Sequence, residues 1–160
     1  MNSPLGLGEL LERLAGAGVR FVLVGGLAVN AWGYLRGTHD IDIVPAPERE
    51  NLERLANLLA SVGGRVEAPQ GRLGSSAIIT FLRAGDRTLV STDLGPIDVL
   101  QGHPQVPRFA ELESGAQEVE IGGTCVLVCS LEALLDMKRA SDRLRDREDL
   151  EALEAAHGDS

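Results

Sequence analysis

The sequence predicts one α/β domain, a mixed and twisted sheet flanked by helices. Three observations carry this. Segments with apolar residues at helical spacing alternate with short continuous apolar runs of strand length. Glycines and prolines punctuate most of the junctions between them. The 160 residues suffice for one real core and fall short of two ordinary domains. No repeat, low-complexity tract or linker divides the chain, so residues 1–160 read as a single domain, with helices from about residue 130 packed on it.

Leu7, Leu10, Leu11 and Leu14 recur at helical spacing ahead of Gly16 and Gly18, which predicts an amphipathic helix over residues 6–17. Residues 19–24 form a continuous apolar run, the pattern of a buried strand. Gly25-Gly26 then turns the chain into a helix over residues 27–32, ended by Gly33. Residues 38–44 read as a second strand, closed by Pro45 and Pro47. Pro47 is placed to open a helix with Leu52, Leu55, Leu58 and Leu59 as its stripe. Residues 65–76 read mostly as loop. Residues 77–82 and 88–92 read as paired strands joined at Ala84-Gly85-Asp86, and residues 97–100 as a strand with one acid. A weak helix near residues 108–112 follows. Residues 118–121 and 125–128 then pair across Gly122-Gly123. Ser130 is a fitting N-cap for Leu131–Ala140, with Glu132 in its first turn, and a last helix spans about residues 147–156.

Net charge −9 argues against a protein that coats DNA or RNA non-specifically, and leaves room for a local basic groove. Fourteen of the fifteen cations are Arg, and five cations fall between Lys138 and Arg147, a density that usually marks a solvated helix face. The longest apolar runs, such as 21–24 and 126–129, are far too short to span a membrane, and the N-terminus lacks a signal-peptide layout. The expectation is a cytoplasmic protein with no membrane partner. Cys125 and Cys129, four apart on one face of a strand, read as small buried core residues, because a structural metal site normally shows four Cys or His ligands.

The chemistry concentrates at Asp40-Ile41-Asp42. Alternation along a strand puts Asp40 and Asp42 on one face and Ile41 on the other, and leaves His39 opposite the acids as a structural residue. Two carboxylates about 5 to 7 Å apart repel by roughly 2 to 4 kcal/mol at an effective dielectric near 20, so the pair calls for a cation or open water. Mg²⁺ suits hard oxygen donors when a phosphate substrate completes its octahedron, and two solvated acids are the alternative. Asp98, inside an apolar strand, is costly unless paired, liganded or outward-facing, and is preferred as a third carboxylate over Asp93, nearer a turn. Gly25-Gly26, between strand and helix, is either an anion cradle or a plain turn. A dinucleotide fingerprint and a P-loop are both absent, and Ile43-Val44 replaces the Gly-Thr that follows D-x-D in haloacid-dehalogenase phosphatases.

With Gly25-Gly26, thirteen intervening residues and Asp40-Ile41-Asp42 in order, the chain resembles the minimal nucleotidyltransferase domain of the polymerase-β-like superfamily. Within it, the pattern G-G-x-A-x-x-x-x-G-x-x-R-x-T-x-D-I-D is similar to that of bacterial AbiEii-type proteins, with Ala28, Gly33, Arg36 and Thr38 in place. Lys138, Arg143, Asp146 and Asp149 resemble the same group's K-x-x-A-x-x-R-x-x-D-x-x-D stretch, one residue short between Lys138 and Arg143. The resemblance implies one or two Mg²⁺ ions on Asp40, Asp42 and Asp98. It implies an NTP held by Gly25, Gly26, Arg36, Thr38 and Lys138, with Lys138 also placed among the catalytic residues. Transfer of a nucleoside monophosphate to a hydroxyl on RNA, protein or a small molecule is the implied reaction. A cognate antitoxin or toxin is the implied partner, and a non-catalytic binding role is the alternative.

Overall fold

The computed structural model describes residues 4–32, 41–140 and 144–157. The first helix, α1 (Pro4–Gly16), buries Leu7, Leu10, Leu11 and Leu14 and packs on the sheet, as their spacing requires. All four residues of β1 (Phe21–Val24) are buried, so the sheet is covered on both faces at its centre. A short α2 (Gly25–Ala31) leads from β1, and β2 (Ile41–Pro45) returns antiparallel to it. α3 (Arg49–Ser61) follows, then β3 (Arg65–Ala68), β4 (Gly71–Leu73), a 3-10 turn at Ser75–Ala77 and α4 (Ile78–Ala84). The chain continues through β5 (Asp86–Ser91), β6 (Ile97–Gln101), α5 (Phe109–Gly115), β7 (Gln117–Ile121) and β8 (Thr124–Val128). It closes with α6 (Leu131–Ala140) and α7 (Leu144–His157).

These eight strands form one sheet in the order β4-β3-β5-β6-β2-β1-β8-β7. The β2/β6 and β1/β8 pairs are parallel and the others antiparallel, so the sheet is mixed, with helices packed against it. The two parallel pairs flank the β1/β2 pair and form the middle of the molecule. Asn51 of α3 closes one end of that pair: its amide nitrogen donates to the carbonyls of Arg20 (2.9 Å) and Ala46 (2.8 Å), and its oxygen accepts from the Arg20 N–H (2.7 Å). Ser130 caps α6 by accepting from the Ala133 N–H at 3.0 Å. Gly122 (φ +59) and Gly123 (φ +85) occupy a left-handed turn, which two-residue hairpins prefer because its twist matches that of the strands.

Three expectations are corrected. Residues 65–76 are not mainly loop: β3 and β4 pair around Pro69-Gln70, so the residues that signalled a loop occupy a turn. Residues 77–82 are largely helix rather than strand. Ile78 and Leu82 are both fully buried while Thr80 between them is exposed, an arrangement a helix allows and a strand forbids. Cys125 is exposed, because alternation along β8 sends Val126 and Val128 inward instead. Cys129 is buried, just beyond the end of the strand.

Burial pushes the Cys129 thiol up from 9.0 to about 12. An unfolded chain ionises this thiol first, so its contribution to stability is complete below about pH 9 and is lost as pH rises toward 12. Ellman's reagent at pH 8 is expected to label one thiol of the native protein within minutes, Cys125, and the second only in denaturant. A Cys129→Ala variant is expected to show a flatter decline of stability between pH 9 and 10.5 than wild type, measured by urea unfolding.

Candidate active site

The register of the central strands places the acids. On β1 Val24 lies opposite Asp42, and on β6 Asp98 lies opposite Asp42 in parallel register. Ile41, Ile43, Ile97 and Val99 are fully buried on the other face, so alternation commits Asp42 and Asp98 to a common face, with backbones about 5 Å apart. Asp98 is buried at 5% exposure and Asp42 is half-buried. The buried acid is compensated: Arg87 of β5 donates from Nε to Oδ1 and from Nη2 to Oδ2, each at 2.9 Å. This fork engages both carboxylate oxygens with a cation whose own side chain is about half exposed.

Gly25 sits at the junction of β1 and α2 with φ +70, which an L side chain rarely adopts. A Cβ there would lie 1.8 Å from Asp42 Oδ2 and 2.6 Å from its Cγ. Glycine is thus required twice, by backbone conformation and by the space the Asp42 carboxylate fills. The far end of α2 is pinned by Trp32, whose Nε1 donates to the Cys129 carbonyl at 2.9 Å. His157 at the end of α7 places Nε2 2.5 Å from the Trp32 carbonyl and its ring edge-on to the indole at 5.9 Å.

Lys138 does not lie on a solvated face. It is buried between α6 and α7, with Nζ 2.6 Å from Asp146 Oδ1 and 3.1 Å from Asp149 Oδ2. Its charge is matched by two carboxylates from its own C-terminal helices. The neighbouring Arg139 follows the sequence expectation and makes exposed ion pairs with Asp136 and Glu154.

Asp40, Arg36, Thr38, His39 and Arg143 lie outside the described residues. Asp93 lies between β5 and β6: its carboxylate packs beside Gly63 at the end of α3, and its N–H donates to the Val62 carbonyl. Asp42 and Asp98 are hard oxygen donors of the type Mg²⁺ takes, and their adjacency fits a divalent ion, with Asp42 the more exposed. Among the described residues no three His, Cys, Asp or Glu side chains gather to hold a metal. Sequence reasoning did not find Arg87. Its signal was a strand partner for Asp98, readable only once β5 and β6 are paired. Asn51 was also missed, a polar residue beside the apolar stripe of α3.

Solved structures share the mixed, helix-flanked sheet. A lincosamide antibiotic adenylyltransferase, LnuA, bound to lincomycin, aligns with a TM-score of 0.67 at 16% identity over 96% of this chain and 98% of that one. The antibiotic-resistance factor ANT(2'')-Ia aligns at 0.63 and 20% identity, covering 97% and 84%. A putative nucleotidyltransferase from Thermotoga maritima aligns at 0.55 and 18%, covering 100% and 97%. At these identities the likeness is one of fold. The chain belongs to the family described as nucleotidyl transferase of unknown function (DUF2204), whose model matches residues 4–159. No curated protein matches it.

Two substitutions test the packing of this site. Gly25→Ala is expected to destabilise by more than about 2 kcal/mol, from backbone strain and the Asp42 contact together. Gly8→Ala, inside α1 with open space around the new Cβ, should stabilise by about 0.5–1 kcal/mol. Guanidinium unfolding of the pair reads the contrast. Lys138→Met removes the cation that faces two buried acids and should cost about 3–5 kcal/mol, whereas adding Asp146→Asn and Asp149→Asn should restore part of the loss.

Proposed function

We propose that the protein transfers a nucleoside monophosphate from an NTP to a hydroxyl acceptor with Mg²⁺, releasing pyrophosphate. The observation that carries this reading is the β2/β6 register, which sets Asp42 beside Asp98 in a chain of the nucleotidyl transferase family. Asp42, with Asp40 two residues before it in the sequence, would hold the ion. Mg²⁺, when bound, neutralises the triphosphate and keeps its α-phosphorus open to in-line attack. The chain's own residues supply position. Gly25 lets the Asp42 carboxylate lie against the β1–α2 turn, and the Arg87 fork keeps the Asp98 carboxylate in one orientation at the acceptor side. In this reading Gly26, Arg36 and Thr38 contact the nucleotide. Lys138 contributes through the α6–α7 contact it maintains, since a direct phosphate contact would require it to leave two acids.

The net charge of −9 favours a cationic small molecule over bulk RNA as acceptor, and two of the structural neighbours are named for antibiotic adenylylation or resistance. A second reading, part of a toxin–antitoxin pair with RNA or protein as acceptor, is favoured by the glycine-to-D-x-D spacing over residues 25–42. Induced expression in a bacterial host separates the two: growth arrest that Asp42→Ala relieves supports the toxin.

Calorimetric titration of ATP, GTP, CTP and UTP, with Mg²⁺ and with EDTA, tests the transferase itself. One NTP is expected to bind wild type with Mg²⁺, with affinity falling by at least about tenfold in EDTA or in Asp42→Ala. Binding indifferent to both would overturn the catalytic reading in favour of a regulatory nucleotide binder.

A further inference from the structure

We propose that Arg87 withholds Asp98 from metal coordination, so that the centre carries its divalent ion on the Asp42 side and its metal affinity is set by a residue of β5. This rests on the nucleotidyltransferase reading of the site. Three features of the structure carry it. First, the fork is complete: one guanidinium engages both oxygens of Asp98, at 2.9 Å each, so the orientation of the carboxylate is fixed by Arg87. Second, Asp98 is buried while Asp42 is half-buried, so of the two register-matched acids the one with better access for an ion is the one outside the fork. Third, the strands determine the pairing. Leu89 lies opposite Asp98 and Arg87 opposite Leu100 in the β5/β6 ladder, which places Arg87 on the Asp98 face one diagonal step away.

An ion shared equally between Asp42 and Asp98 would have to coordinate a carboxylate that is already paired with a full positive charge. Each oxygen keeps a lone pair after accepting one N–H, so coordination is geometrically open and electrostatically opposed. The Arg87 side chain is about half exposed, so the cation that covers Asp98 is reachable from solvent. Asp98 is therefore a metal ligand in reserve. Substrate that draws Arg87 off would raise metal affinity, which couples the acceptor side to the ion without any movement of the sheet.

Mn²⁺ alone, counted by the paramagnetic resonance of the free ion, is the probe, and far-UV circular dichroism confirms folding. Arg87→Gln is expected to bind Mn²⁺ at least about tenfold more tightly than wild type. Arg87→Lys, which keeps the charge but cannot cover both oxygens, should fall between them. Arg87→Gln with Asp98→Asn should return to within about threefold of wild type, because the gain acts through Asp98. The proposal is overturned if Arg87→Gln binds no more tightly. It is overturned too if Arg87→Lys matches wild type while only Arg87→Gln gains, since charge at a distance would then explain the effect. A gain that persists in the double variant overturns it as well. Should Arg87→Gln fail to fold, Arg87→Lys decides: tighter binding than wild type supports the proposal and equal binding overturns it. Asp42→Asn in each background distinguishes the two levels: Mn²⁺ binding lost with Asp42 but untouched by Arg87 removes this inference alone, whereas binding indifferent to Asp42 removes the metal reading of the site as well.

Discussion

Two carboxylates side by side on neighbouring strands set the terms for the centre of this molecule. Asp42 and Asp98 are brought together by register, and the register is held by four fully buried residues on the reverse face, Ile41, Ile43, Ile97 and Val99. A slip of one residue would turn the acids into the face that this apolar set now fills, so the sheet has little freedom to relieve the repulsion by shifting. Relief comes from the neighbours instead. Arg87 matches the more buried acid, and the missing side chain of Gly25 makes room for the less buried one. The order of strands follows from this need, with β2 between the glycine turn of β1 and the acid of β6, and β6 between β2 and the arginine of β5.

The C-terminal helices are attached by a different logic. α7 presents Asp146, Asp149 and Leu153 to the interior, so an ionic contact lies in the seam where a second row of leucines would ordinarily sit. A buried lysine between two acids loses in desolvation much of what it gains in attraction, and contributes direction more than stability. Direction matters here because His157 at the end of the same helix meets Trp32 at the end of α2, the helix that starts at Gly25. The clasp thus fixes the element that packs behind the glycine turn.

Much of this fold could be read in advance. β1, β2, α3, β6, the β7/β8 hairpin and the Ser130 cap were legible because each rests on a local rule: an apolar run, a stripe, a turn pair or a capping hydroxyl. α4 was not, because Ile78, Ile79, Thr80 and Phe81 favour a strand locally and only packing against α3 makes them helical. The β3/β4 hairpin was hidden by its polar, short strands. The acids Asp42 and Asp98 were legible as types in suspicious places, whereas their adjacency depends on a parallel pairing 56 positions apart in sequence and no local pattern encodes it. Arg87 was invisible for the same reason. Lys138 was noticed for its singularity and placed with the phosphates, while its two acids eight and eleven residues onward were read as a motif rather than as its partners.

Being the one lysine in these 160 residues, and buried in an ion pair, Lys138 also shapes the chemistry of the surface. Every other fixed cation of the chain is a guanidinium, so the folded surface offers acylating reagents and acetyl donors no side-chain amine. A side-chain amine becomes reactive only when α6 and α7 part. The clasp is therefore also a built-in chemical clock, in which the rate of amine modification at this side chain measures how often the C-terminal helices open.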